Sequence, residues 1–168
     1  GDSVDRLVYG IKINVPAAYD SYGYEMRRYM AHIYAPGVFD NREKMVKSLN
    51  NVRRAKIILR YWKADIDEKV AKIEEEMKKG DVRLDIKTKY KNNMIYVKAF
   101  MAECKSWINK NETLLIFLIE NDLMYEYVEP DFKFQSQMAR DKFADAYMAA
   151  QAARININKY EPYKKMVY

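Results

Sequence analysis

Asn41–Lys79 reads NREKMVKSLN NVRRAKIILR YWKADIDEKV AKIEEEMKK, thirty-nine residues without Gly or Pro. Two stripes run through it. Met45, Leu49, Val52, Leu59, Ile66, Val70, Ile73 and Met77 recur at helical spacing and define a core face. Arg53, Lys56, Arg60 and Lys63 step three, four and three, so they share a second face as a basic ridge. The stretch therefore predicts a helix over about 40–79. Asp40-x-x-Glu43 has the form of a capping box at its start. Gly80 follows Lys78 and Lys79 as a helix stop. Such a helix is roughly 58 Å long, so it must project, be covered by a partner, or bend near Lys63–Asp67.

The charge is unevenly spread along this helix. Arg42 to Lys63 holds eight Lys/Arg and one acid, whereas Ala64 to Lys79 holds six acids and four Lys. In the second half, Asp65–Lys69, Glu68–Lys72, Glu74–Lys78 and Glu75–Lys79 are ordered acid-before-base at i,i+4, which supports the helix from within. The first half has only Glu43 to set against its eight cations. An acidic surface is expected to meet it, either near Glu126 and Glu129 or on another molecule.

Outward from this helix the chain stays helical. Tyr90, Met94, Val97, Met101, Cys104 and Ile108 alternate steps of four and three, which predicts a second helix. Asn109-Lys110-Asn111 reads as a turn, with Asn109-x-x-Glu112 capping a buried helix over 113–128. Glu129-Pro130 ends that helix. A last helix is expected over about 132–154, with Ala139, Phe143, Ala146, Ala150 and Ala153 as a close-packing face. Before the long helix, Pro16 to Ala35 reads as a helix stopped by Pro36-Gly37. Ile11–Val15 and Val82–Ile86 alternate apolar and polar residues, so they are expected to pair as a short ribbon.

The fold class is thus mainly α: an irregular four- or five-helix bundle with one long helix (about 40–79) and a two-stranded β ribbon (about 11–15 with 82–86). A length of 168 residues fits one helical domain over 1–168, with 1–10 and 156–168 as peripheral tails. Apolar residues at 49% and charged residues at 32% exclude a disordered chain. Five Gly and four Pro disfavour a turn-rich β sandwich. Fifteen Tyr accompany abundant Lys, Asn and Ile, a bias that AT-rich coding produces without any dedicated surface.

Chemistry-bearing residues are sparse. His32 is the single His, and Cys104 lies on an apolar helix face where a thiol is inert. Glu74-Glu75-Glu76 points in three directions and has Lys neighbours, so it reads as a solvated face and not a metal site. No zinc, P-loop, dinucleotide or nucleophile-elbow motif is present. No catalytic residue, metal or cofactor is assigned. Asn111-Glu112-Thr113 matches the short N-glycosylation pattern.

The binding candidates are Arg53, Lys56, Arg60 and Lys63, with Tyr61 and Trp62 beside them, facing an anionic partner. The expected function is non-catalytic: protein–protein contact or homo-oligomerisation, in an accessory or structural part of a bacterial cell envelope or secretion assembly. The first alternative is a helical nucleic-acid binder, with the ridge on phosphates and the aromatics on bases. The second is an enzyme gathering Glu25, His32 and several Tyr into a pocket. The chain starts Gly1-Asp2-Ser3 without Met, which is read as the trace of a removed leader. An exported protein, periplasmic or at the cell surface, is therefore expected, with a cytoplasmic one as the alternative. The longest apolar run, Leu114–Ile119, is far too short to span a bilayer.

Overall fold

The computed structural model describes residues 22–80 and 82–160. Four α-helices and one β hairpin occur among them: α1 (Tyr22–Met30), α2 (Arg42–Lys79), α3 (Leu84–Glu120), β1 (Tyr125–Val128), β2 (Asp131–Phe134) and α4 (Gln137–Ile157). A short 3-10 turn, Val38–Asp40, leads into α2 after Gly37, which takes a left-handed φ of 87°. The fold is mainly α, as the periodicities require.

The expected long helix is present and unbroken through Lys63–Asp67. A second helix of nearly the same length covers it. α2 has 38 residues and α3 has 37, so each is roughly 55 Å long. They run antiparallel in constant register. Arg42 reaches Asp122 at 3.8 Å, Lys56 reaches Glu112 at 2.9 Å, and the Trp62 and Phe100 rings meet edge-on at 5.8 Å. The Tyr90 hydroxyl donates to Glu74 at 3.4 Å nearer the connection.

The core lies where α1 and α4 also pack. Met26, Val52, Phe100, Cys104, Ile108, Leu115, Leu118 and Ile157 are fully enclosed there. Burying each of the larger side chains contributes about 1.5–3 kcal/mol. The Ala-rich face of α4 behaves as its spacing predicts: Ala139, Ala150 and Ala153 are buried. Beyond this core, a satellite cluster forms where the long pair continues alone among the described residues. Ile73 is fully buried there against Met77, Val82, Ile86, Tyr90 and Met94.

Several expected boundaries are corrected. The N-cap of α2 is Asn41, one residue later than the capping-box reading. Its side chain accepts from the Lys44 amide at 2.9 Å, while Asp40 pairs with the Lys44 ammonium at 3.9 Å. The expected turn at Asn109–Asn111 does not form, and α3 runs straight through it. Turn-prone asparagines can stay helical when tertiary partners satisfy them. Asn111 donates to the Trp107 carbonyl at 2.8 Å and accepts from the Tyr34 hydroxyl at 2.7 Å.

A two-stranded ribbon exists, but elsewhere in the chain. Leu84–Ile86 belongs to α3, and Ile11–Val15 lies outside the described residues. Val82, Ile86, Tyr90 and Met94 are spaced by four, and that helical period wins over the short alternation. The strands are instead 125–128 and 131–134, joined around a cis Glu129–Pro130 bond. Their registered pairs, Tyr125–Phe134 and Tyr127–Phe132, put four rings on one face against Phe39 and Phe143. The last helix consequently starts at Gln137, with Ser136 capping the Ala139 amide. It ends at Ile157, which is fully buried. The peripheral tail expected from 156 is thus core at its first turn, and Tyr160 still packs on Phe100 at 5.4 Å. The expected helix over 16–35 is seen as Tyr22–Met30 followed by turns, and residues 16–21 lie outside the described ones.

Candidate functional site

The outer face of α2 carries the predicted ridge, and much of it is answered inside the chain. Glu112 of α3 receives Arg53 at 3.5 Å and Lys56 at 2.9 Å. Its side chain is only 18% exposed, so this pairing is less screened than a surface one. The acid that meets the ridge is therefore Glu112, and neither Glu126 nor Glu129. Read locally, Glu112 looks like a helix cap. Only the antiparallel register of α2 and α3 reveals its role.

The remaining ridge residues divide. Lys63 pairs with Asp67 on its own helix at 2.9 Å. Trp62 is half-buried and packs edge-on against Phe100. Arg60 is exposed, and no acid among the described residues pairs with it. Tyr61 is 62% exposed, and Ile57, one turn before it, is 48% exposed. Arg54 stacks over the Tyr29 ring at 5.7 Å. The surface offered outward is thus Ile57 and Tyr61 framed by Arg53 and Arg60. Ile57 is absent from the sequence-derived site because it looks like any other apolar helix residue until the core face is known.

A cavity of about 580 Å³ opens between the turn after α1, the ribbon, α3 and α4. Phe39, Trp107, Phe132 and Phe143 form its walls, and His32 and Arg154 also line it. In its lining the Tyr34 hydroxyl donates to buried Asn111. Burial, with Tyr147 adding to it, pushes the Tyr34 hydroxyl well above its ordinary range even though the rest of the ring is partly open. These two polar groups are therefore spent on each other. Glu25, named with His32 as a possible acid–base set, does not line the cavity.

Cys104 is fully buried, and burial raises its thiol well above the usual value. It is a core residue in the position its spacing predicts. Asn111 is 3% exposed with its amide engaged, so the glycosylation pattern is inaccessible in the folded chain. Among the described residues no cluster of His, Cys, Asp and Glu is placed to hold a metal ion. No described helix is long and apolar enough to cross a membrane. No family model matches the chain, and neither a curated protein nor a solved structure matches it.

Proposed function

We propose that this protein is non-catalytic and works through protein–protein contact on the outer face of its paired long helices. The observation that carries this reading is the exposed Ile57–Tyr61 pair set among Arg53 and Arg60 on the long helix α2. Aromatic and Arg side chains clustered on an exposed face are the common anchors of protein interfaces. Leu84 and Ile95 add exposed apolar surface on the companion helix. We place it as an accessory or structural part in a bacterial envelope or secretion assembly, with the protein exported, a setting in which an exposed helical contact face would serve. Fractionation of the source cells tests that setting.

Light scattering after size exclusion, combined with crosslinking and retention of partners, tests the contact itself. An assembled species or a retained protein is expected, and Ile57→Ser with Tyr61→Ser should reduce it while leaving the melting curve intact. A strict monomer that retains no protein overturns the reading. The nucleic-acid alternative has less support, because Glu112 neutralises two ridge cations and Trp62 packs inward. Absence of a gel shift at low salt removes it.

A further inference from the structure

The outer face of α2 reverses its charge about Ala64, near the middle of the helix. Ala64 is exposed at the centre. Arg60 and Glu68 lie four residues to either side of it, Ile57 and Ala71 seven, and Arg53 and Glu75 eleven. At 3.6 residues per turn, all of these fall within about 40° of Ala64 around the helix. All of them are exposed as well. The face is thus a basic arm, a small and apolar centre, and an acidic arm that ends at exposed Lys78, whose mirror position is the uncharged Asn50.

We infer that this face binds a second copy of the same chain, α2 against α2, antiparallel about a two-fold axis through Ala64. The inference rests on the protein-contact reading above and names the partner. An isologous dimer brings each residue opposite its mirror position. Arg60 then meets Glu68 of the second copy, Arg53 meets Glu75, and Ile57 packs over Ala71. Each of these contacts occurs twice. Ala64 against Ala64 lets the two helices approach closely.

Other partners satisfy only half of the face. A uniformly acidic protein or a nucleic acid would attract the Arg53–Arg60 arm and be repelled by the Glu68–Glu75 arm. Arg53 already meets the mostly shielded Glu112, so Arg60 with Glu68 is the pair that carries the contact and Arg53 with Glu75 only adds to it. The existing contacts of the two acids are weak competitors. Glu68 meets Lys72 at 3.4 Å and Glu75 meets Lys79 at 3.6 Å, all with side chains at least 60% exposed. Arg60 and Glu68 are two turns apart on one helix, roughly 12 Å, so they cannot pair within a chain.

Sedimentation velocity of the full chain over a concentration series tests the dimer. A reversible dimer is expected that weakens several-fold between low and high salt, because the pairs are solvent-exposed. Arg60→Glu and Glu68→Arg should each weaken it by at least about tenfold, since each sets like charges together at both symmetry-related positions. The double variant Arg60→Glu/Glu68→Arg should restore it, since the pairs re-form with signs exchanged. Thermal melts by circular dichroism confirm that these exposed substitutions leave the fold intact.

A wild-type chain that is monomeric throughout overturns the inference. So does a dimer indifferent to the single variants, or a double variant that stays weak. If a monomeric chain still retains a different protein, the contact reading stands and only the self-pairing falls. If it retains none, both fall.

Discussion

Glu112 shows how one carboxylate can tie two long helices in register. It holds Arg53 and Lys56 together while mostly shielded from solvent. Replacing it with Ala leaves two cations facing a depleted surface. Glu112→Ala should cost about 1.5–3 kcal/mol in urea unfolding. Asp67→Ala, which breaks an exposed i,i+4 pair, should cost at most about 0.5 kcal/mol. Equal losses would mean that Glu112 is no more than another surface acid. Tyr34 and Asn111 form the second such link, between segments seventy-seven residues apart. A double-mutant cycle on Tyr34→Phe and Asn111→Ala should show a coupling of about 1 kcal/mol. Neither link is legible locally. Asn111 looks like a turn residue and Glu112 like a cap, because both make their deciding contacts with distant elements.

At the scale of elements, the long helices could be read from spacing because each buries a continuous apolar stripe over many turns. Their ends were harder. One hydrogen bond decides the start of α2, and Asn41 makes it in preference to Asp40. Asn41→Ala should therefore destabilise the protein by about 1 kcal/mol in denaturant titration, and Asp40→Ala by clearly less. The hairpin is hard to read from sequence, because Phe132 and Phe134 immediately precede the helical pattern of α4 and four-residue strands give little alternation to detect. Its anchorage is specific. The Tyr125 hydroxyl donates to the Leu118 carbonyl at 2.9 Å, and burial beside Asp122 raises its pKa from 10.0 to about 12. A raised folded-state value favours the protonated hydroxyl. The stability it contributes is complete below pH 10.0 and is lost as pH climbs toward about 12. Alkaline unfolding should steepen in that window, and Tyr125→Phe should flatten the profile there.

Across the whole molecule, stability is unevenly distributed. The main core gathers four helices, whereas the Ile73 cluster relies on α2 and α3 alone among the described residues. Ile73→Ala should speed amide exchange over residues 70–94 and leave residues 100–118 protected. Phe100→Ala should lower global stability by about 3–5 kcal/mol and speed exchange throughout. The two-helix pairing is not visible as a sequence pattern, because the turn-prone Asn109–Asn111 divides the covering helix on local propensity. Its full length emerges only when Asn111 and Glu112 are seen in their contacts with Tyr34, Arg53 and Lys56. The chain also carries a natural clock for its own opening. Cys104 is the lone thiol, wholly enclosed at the centre of the core. A thiol reagent can reach it only after α3 parts from its neighbours. At reagent concentrations where the labelling rate no longer rises, that rate therefore times the opening itself, with no dye or tag attached.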